Sequence, residues 1–165
     1  MDFLWSVVYL ILVALAAHPL GQALPDSWLR ADRFPFRTFA WEKRLYRFLR
    51  VARWKNLVTD MSRIRTDMVP KTIQSNSRSQ FELLLTETCR AELVHGTEIL
   101  LGLVAIAICP GWRGILVWSV WTLGANLPFL MIQRYNRPRI MRHLERIVQV
   151  VEAGAAEVEA EAERV

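Results

Sequence analysis

Three apolar stretches approach the length that a helix needs to cross a bilayer, and they constrain this chain more than any other feature. That length is about 20 residues. The stretches cover residues 3–24, 93–109 and 114–132. A soluble core of a 165-residue chain could hardly cover all three. We therefore predict an all-α integral membrane protein with three transmembrane helices, folded as a single membrane domain over residues 1–165.

Two of the stretches allow another interpretation. The stretch over 93–109 is short enough to be a buried core helix, but Pro110-Gly111-Trp112-Arg113 follows it and is typical of a tight turn between two helices. The stretch over 3–24 could be a cleaved signal peptide, because Ala14-Leu15-Ala16 resembles a cleavage site. No basic residue precedes it, which favours a retained span.

The basic residues predict the orientation. Of the 21 Lys and Arg, 14 lie in residues 25–92 and six lie in residues 133–165, and only Arg113 lies between the second and third spans. Positive residues favour the cytoplasmic side of a membrane. We therefore expect a multi-pass protein of the cell membrane with its N-terminus outside, and with the loop 25–92 and the tail 133–165 in the cytoplasm.

The first part of the loop has the pattern of an amphipathic helix. Apolar residues recur on one helical face between Trp41 and Lys55, namely Trp41, Leu45, Phe48, Leu49 and Ala52. A basic amphipathic helix with large aromatic residues beside a span is typical of the headgroup layer, where Trp41, Trp54 and Lys55 would be interfacial residues. A helix that caps the bundle is a compatible alternative. We predict no nucleic-acid binding, since a polyanion would leave the apolar face unused.

The rest of the loop and the tail are less informative. Residues 56–80 are polar and irregular, and a helix is predicted from Phe81 into the second span. The tail repeats a helical spacing from Arg139 and becomes rich in Ala and Glu, which predicts a charged C-terminal helix. Cys89 and Cys109 are 20 residues apart, or about 30 Å along a helix, and are predicted to be free thiols. Cys89 as the carrier of an acyl intermediate is the less favoured alternative to a small core residue.

Ionisable residues at the second span and a polar residue inside the third are the main indication of function. Such residues are energetically unfavourable in lipid and mark functional sites by default. Glu92, His95 and Glu98 follow one another at intervals of three. Asn126 on the returning span lies about 9 Å inside its cytoplasmic end, at a similar depth to Glu98. The structural alternative is that Glu92 pairs with Arg90 or Arg134 and that Asn126 only bonds the neighbouring helix.

Such a cluster is suited to acyl transfer onto a hydroxyl. His95 is the candidate general base, and Glu98 or Glu92 would orient its ring. Asn126 would donate a hydrogen bond to the oxyanion that develops. Arginines match the geometry of phosphate, so those after the third span would bind anionic groups such as donor phosphates. The candidate substrate-binding residues are Arg90, Gln133, Arg134, Tyr135, Asn136, Arg137 and Arg139.

Three segments resemble the glycosyl-4,4'-diaponeurosporenoate acyltransferase family, the membrane acyltransferases of staphyloxanthin-type carotenoid synthesis. One contains Trp41-Glu-Lys and Val51-Ala-Arg-Trp-Lys55, and the second is Glu87-Thr-Cys-Arg-Ala-Glu-Leu-Val-His95. The third is Ala125-Asn-Leu-Pro128 with Gln133-Arg-Tyr-Asn-Arg-Pro-Arg139, the most specific of the three.

The resemblance implies that a fatty acyl group moves onto a sugar hydroxyl of a membrane glycolipid such as a carotenoid glycoside. The expected partners are membrane lipid, the glycolipid acceptor and an acyl donor. The donor would be an acyl thioester such as acyl-CoA, with no further cofactor. A homo-oligomer is compatible with so small a bundle.

Two other functions compete with acyl transfer. Glu92-x-x-His95 is half of a di-iron motif, but a second Glu-x-x-His is absent from the sequence, so we predict no metal. A non-catalytic membrane subunit, or an assembly partner of a lipid-modifying complex, is the alternative to an enzyme. In that case changes at Glu92, His95 or Asn126 should alter assembly rather than turnover.

Overall fold

The computed structural model describes residues 1–58 and 78–162, with side chains up to residue 157. Within these residues the chain forms helices and no strand. A 3₁₀ turn at Asp26–Trp28 follows the first helix, and a π-helical segment at Trp121–Asn126 joins the last two. The α-helices are α1 Asp2–Gln22, α2 Ala40–Phe48, α3 Val51–Trp54, α4 Arg78–Gly102, α5 Val104–Ile108, α6 Trp112–Val120 and α7 Leu127–Ala162. The all-α prediction is confirmed.

Three helical units are long and apolar enough to cross a membrane. They cover Asp2–Gln22, Arg78–Ile108 and Trp112–Glu157. Large apolar side chains on all three point away from the protein, and Leu15, Leu100 and Leu123 are each more than 60% exposed. Exposed apolar surface on this scale is unfavourable in water and is the normal outer surface of a bundle in lipid. The three predicted spans therefore correspond to three apolar helical units.

The second and third units form an antiparallel hairpin. At the turn Gly111 has φ +90°, a conformation that L side chains rarely adopt. Gly114 lies against the backbone of Cys109 and leaves no room for a β-carbon. This close approach is the tight turn that Pro110-Gly111 predicts. From there the contacts follow one register along the hairpin: Gly102 with Trp121, His95 with Phe129, Glu92 with Arg134, and Thr88 with Arg137.

Helix α1 packs antiparallel against α4 of the hairpin. The Tyr9 hydroxyl donates to the Leu101 carbonyl at 3.0 Å. At the opposite end Gly21 packs directly on Val94. There the Arg90 guanidinium donates to the Gly21 carbonyl at 2.6 Å, which satisfies a C-terminal carbonyl of α1. The apolar N-terminal stretch is thus an integral part of the helical packing.

The predicted amphipathic helix is two helices rather than one. α2 ends at Phe48 and α3 begins at Val51, and between them Arg50 has φ 52° and ψ 37°. This left-handed conformation is unfavourable for a residue with a β-carbon, by about 1–2 kcal/mol. Helix α2 turns its polar residues Glu42 and Tyr46 inward, while Phe48 is 82% exposed. Its apolar side therefore faces away from the bundle.

The remaining predictions are confirmed in part. Residues 59–77, which contain most of the predicted loop 56–80, lie outside the described residues. Helix α4 covers Arg78–Gly102 of the described residues, which includes the helix predicted from Phe81 into the second span. Helix α7 continues through Pro138 into the tail, as its spacing predicts. Cys89 and Cys109 are free and buried.

Candidate active site

The His95 imidazole faces the Asn126 amide across the hairpin. The two groups are 3.0 Å apart, between His95 Nδ1 and Asn126 Oδ1. Asn126 is fully buried, and the ring of His95 stacks on Phe129 with 5.0 Å between ring centroids. The sequence places Asn126 at a depth similar to that of Glu98, and in the structure the antiparallel register brings it into contact with His95, three residues before Glu98.

The backbone of the third unit explains how Asn126 is held. Pro128 has no N–H, so the Gly124 carbonyl has no helical donor four residues later. The chain forms a π-helical segment at Trp121–Asn126 instead. π-helical segments are rare in proteins as a whole, and those that occur lie frequently at functional sites. Here the Asn126 side-chain Nδ2 donates to the Trp121 carbonyl at 3.2 Å.

This bond determines the tautomer of the histidine. A carbonyl can only accept, so Nδ2 of Asn126 must face Trp121, and Oδ1 must face the imidazole. Since Oδ1 is an acceptor, His95 Nδ1 has to carry the proton in the neutral ring. Nε2 then has the lone pair, and it forms no hydrogen bond within residues 1–58 and 78–162. The ring therefore presents a basic nitrogen.

Glu98 is the carboxylate nearest to the imidazole. Its Oε2 lies 3.6 Å from His95 Nδ1, and the residue is only 7% exposed. Its backbone carbonyl accepts the Trp121 indole N–H at 3.1 Å, which fastens this turn of α4 to the π-helical segment. Between the two carboxylates that sequence alone offers as partners of His95, the structure places Glu98 beside the ring.

Glu92 instead joins a cluster of buried charges between α2, α4 and α7. It contacts both Arg134 and Arg137, with 2.6 Å between its Oε2 and Arg137 Nη1. Arg134 reaches in the other direction to Glu42, at 2.6 Å and 2.9 Å. From the sequence, an ion pair with Arg134 is the structural alternative to a catalytic role for Glu92, and this ion pair is present. These two carboxylates and two guanidinium groups, Glu42, Glu92, Arg134 and Arg137, are referred to below as the ion cluster.

Arg137 is a structural member of the ion cluster. Its side chain is fully buried and donates to the Thr88 hydroxyl at 3.1 Å and to the Thr88 carbonyl at 2.9 Å. It also donates to the Phe36 carbonyl. Its donors are therefore occupied within the protein, and Arg137 is not positioned to bind a substrate. Arg90 is similarly engaged, with Glu87 at 3.0 Å and Asp26 at 2.5 Å.

Sequence reasoning did not identify Glu42 as part of the site. Burial alone raises the pKa of Glu42, but hydrogen bonds from Arg134, the Phe39 amide and Tyr46 hold that pKa below its ordinary value. Burial and the same bond to Glu42 raise the pKa of Tyr46. The sequence signal that could have identified Glu42 is its position between the apolar Trp41 and a run of basic residues. A carboxylate there indicates a partner on another helix.

Beyond the ion cluster, the predicted binding residue Arg139 and the predicted interfacial residue Lys55 both lie over the ring of Tyr135. Arg139 lies 3.7 Å over the ring of Tyr135, and Lys55 lies 5.5 Å over it. Lys55 also donates to Asn136 Oδ1 at 3.4 Å. Burial and the charge of Arg139 lower the pKa of Lys55. Gln133 is half-buried.

The two predicted interfacial tryptophans lie at opposite ends of the broken helix. Trp41 is 61% exposed and stacks on Phe39, while the Trp54 indole donates to the Leu49 carbonyl at 3.0 Å.

Within the described residues, no group of three or more His, Cys, Asp or Glu side chains has the geometry to hold a metal ion.

Comparison with known proteins gives the family. The family model described as glycosyl-4,4'-diaponeurosporenoate acyltransferase matches residues 25–146 of the chain. The chain belongs to this family. Curated proteins of the same name from Staphylococcus aureus strains bovine RF122 / ET3-1, MRSA252 and N315 are each 28% identical over 142 residues. Each alignment covers 83% of this chain and 84% of the relative. No solved structure matches the chain significantly.

Membership of the acyltransferase family confirms the resemblance inferred from the three sequence segments. The matched residues 25–146 contain the histidine–asparagine pair and every member of the ion cluster. The chain is therefore an acyltransferase, and the structure gives the family's sequence motifs a common location. The Glu92-to-His95 segment and the Gln133-to-Arg139 segment face each other along α4 and α7.

Proposed function

We propose that this acyltransferase moves a fatty acyl group from an acyl thioester to a sugar hydroxyl of a membrane glycolipid, such as a carotenoid glycoside. The acceptor class follows from the name of the relatives. The observation that carries the catalytic part is the 3.0 Å contact of His95 Nδ1 with Asn126 Oδ1, from which we infer that Nε2 has the lone pair, on a ring that is only 21% exposed. A general base of this kind contributes about 10²–10⁴-fold to a rate.

The proposed reaction proceeds in two proton transfers. His95 Nε2 takes the proton of the sugar hydroxyl as its oxygen attacks the thioester carbonyl. The C–S bond then breaks, and the leaving thiolate takes the proton back from the imidazolium, so that an ester and a thiol are formed. Glu98 stabilises the imidazolium while it exists. Asn126 holds the ring in the correct orientation, because its amide is already bonded to Trp121. We therefore assign Asn126 a positioning role in place of oxyanion stabilisation.

We further propose that the reaction takes place at the cytoplasmic edge of the membrane. The basic residues on α2, α3 and the distal part of α7 favour the cytoplasm. The apolar side of α2 faces outward, with Trp41 and Phe48 available to the headgroup layer. In this arrangement the acyl chain stays in lipid while the donor head group stays in water.

The catalytic proposal is tested with purified protein, an isotopically labelled acyl thioester and a glycolipid extract, with acylated glycolipid measured by mass spectrometry. We expect His95→Gln to fold and to lower the rate at least about 10²-fold. The matched control is His143→Gln, which removes an exposed histidine that stacks on Phe81 on the same hairpin and should keep full activity. A folded His95→Gln protein with full activity would contradict the proposal.

The orientation is tested separately with an impermeant thiol reagent in cells. Arg44→Cys on α2 should react only after the membrane is opened, whereas Arg113→Cys in the hairpin turn should react in intact cells. Both native cysteines are buried, which limits background labelling. The reverse labelling pattern would place the site on the outer side.

A further inference from the structure

A cavity of about 540 Å³ lies between α2 and the distal half of α7, beside the ion cluster. Its size is within the usual range of small-molecule sites. Apart from Arg134, whose charge is paired with Glu42, six basic residues line it: Lys43, Arg47, Arg50, Arg53, Arg139 and Arg142. All six side chains are exposed. We call this cavity, defined by these residues, the basic cleft.

The basic faces of two helices converge at the cleft. Lys43, Arg47 and Arg50 follow at intervals of four and three residues, which places them on one face of α2 and its end. Arg139 and Arg142 are three residues apart on α7 and form the opposite wall. The helices are held at this separation by the bond from Arg134 to Glu42 and by the edge-on contact of Tyr46 with Tyr135, with 6.1 Å between ring centroids.

The positive charge in the cleft is not neutralised by the described part of the chain. Glu42 is the single carboxylate that lines the cleft, and both its oxygens bond to Arg134. Like charges on facing walls repel one another, and a bound anion would offset that repulsion. The backbone of Arg50, one of the cleft residues, is in the left-handed conformation. Unfavourable backbone conformations cluster at ligand sites, which also supports the binding of a ligand at the cleft.

The location of the cleft relative to His95 limits what the anion is. Arg134, at one end of the cleft, is eight residues after Asn126 on α7, or roughly 12 Å along the helix axis, and Arg142 lies farther out. The cleft is therefore displaced from the proposed base, in the direction away from the hairpin turn. A donor whose phosphates are separated from its acyl carbonyl by a spacer fits this displacement.

We propose that the basic cleft is a phosphate-binding subsite for the head group of the acyl donor. The inference rests on the proposed acyl transfer and adds the chemical class of the donor. Guanidinium groups bind phosphate oxygens through paired hydrogen bonds, and six of the seven basic residues at the cleft are arginines. Two acyl donors carry such phosphates. A coenzyme A thioester is the donor of the proposed function and would leave as free coenzyme A. An anionic phospholipid is the alternative that the test distinguishes; its C–O ester bond would break and it would leave as the lysophospholipid, whose oxygen takes the proton from the imidazolium.

The test compares the two donors in phosphate-free detergent micelles. One arm supplies labelled acyl-CoA, and the other supplies phosphatidylglycerol with labelled acyl chains and no thioester. The double variant Arg47→Gln/Arg142→Gln changes both walls of the cleft. The matched control, Arg44→Gln/Arg146→Gln, makes the same change at exposed arginines on the same two helices that do not line the cleft.

We expect the cleft variant to raise KM for the effective donor at least about tenfold, with kcat nearly unchanged, because charge-assisted hydrogen bonds to the head group are lost. The control variant should keep the KM of the native protein. The arm in which the effect occurs identifies the donor. An unchanged KM for the cleft variant in both arms would overturn the proposal.

A direct binding measurement separates this inference from the proposed function. Coenzyme A and phosphatidylglycerol are titrated without acceptor, with pantetheine as the control that has no phosphate. Binding is followed by calorimetry. Binding of coenzyme A or phosphatidylglycerol that is lost in the cleft variant supports the subsite even if no acyl transfer is detected. Acyl transfer that depends on His95 with no effect of the cleft arginines on binding would overturn the subsite alone.

Discussion

Two sets of arginines on α7 lie within a few turns of each other and have opposite surroundings. Arg134 and Arg137 are members of the ion cluster, where carboxylates, hydroxyls and carbonyls occupy their donors. Arg139 and Arg142 face the basic cleft, where the described residues offer no free carboxylate. The comparison separates arginines that hold helices together from arginines that are available to a ligand. Sequence alone does not make this distinction, because all four belong to one basic run.

The largest expected effect is on the ion cluster. Glu92→Gln leaves two buried guanidinium groups without their shared carboxylate, and breaking such a pair is unfavourable by about 3–5 kcal/mol. We expect a large drop in the midpoint of thermal unfolding in detergent. The control Glu145→Gln removes an exposed carboxylate from α7 and should have little effect. Equal midpoints for the two variants would mean that the cluster does not stabilise the fold.

A smaller change of opposite sign is expected at Arg50. Glycine adopts the left-handed conformation without steric penalty, so Arg50→Gly should raise the free energy of unfolding by about 0.5–1 kcal/mol. The same substitution removes one cleft arginine and should weaken donor binding. Chemical denaturation and KM for the donor would measure the two effects. Unchanged donor binding would contradict the assignment of Arg50 to the cleft, and a lower free energy of unfolding would contradict the backbone strain assigned to this residue.

A further effect concerns pH and is confined to α2. The pKa of Glu42 is below its ordinary value of 4.5, so its contribution to stability is present above that pH and is lost as the pH falls through the folded-state value. We expect hydrogen exchange of α2 to accelerate in acid before that of α4. Glu42→Gln should abolish this pH dependence. Exchange in α2 and α4 that changes together would show that Glu42 has no local role.

The smallest effect on stability is expected at the cleft itself. Arg47→Gln/Arg142→Gln should change the free energy of unfolding by no more than about 0.5 kcal/mol per site, because exposed side chains without partners contribute little. Relief of repulsion between the walls would make the change slightly stabilising. The unfolding midpoint of this variant is compared with that of Glu92→Gln. A loss as large as that of Glu92→Gln would remove the contrast between the two sets of arginines.

The helical hairpin could be predicted from sequence because its causes are local. Apolar length, the Pro110-Gly111 turn and helical rise together predict that Asn126 lies opposite the segment that contains His95 and Glu98, and the structure brings Asn126 to 3.0 Å from His95. The three sequence segments were also sufficient to suggest the family, which the family match confirms.

Other features depend on contacts between distant parts of the chain. The interruption at Arg50 contradicts the helical periodicity of residues 41–55, because the docking of α2 and α3 on α7 decides the backbone there. The burial of Glu42 follows from Arg134, which is 92 residues away. The amide of Asn126 is oriented by Trp121, so the choice of tautomer was also not accessible from spacing alone.

Base catalysis as proposed requires that His95 carries its proton on Nδ1 and has Nε2 available as the base. It is tested most directly by ¹⁵N NMR of protein with labelled histidine in micelles, where the signals of His95 are assigned by their loss in His95→Gln. We expect a protonated Nδ1 and an unprotonated Nε2 for the neutral ring, and loss of this preference in Asn126→Ala. A neutral ring with its proton on Nε2 would exclude Nε2 as the general base.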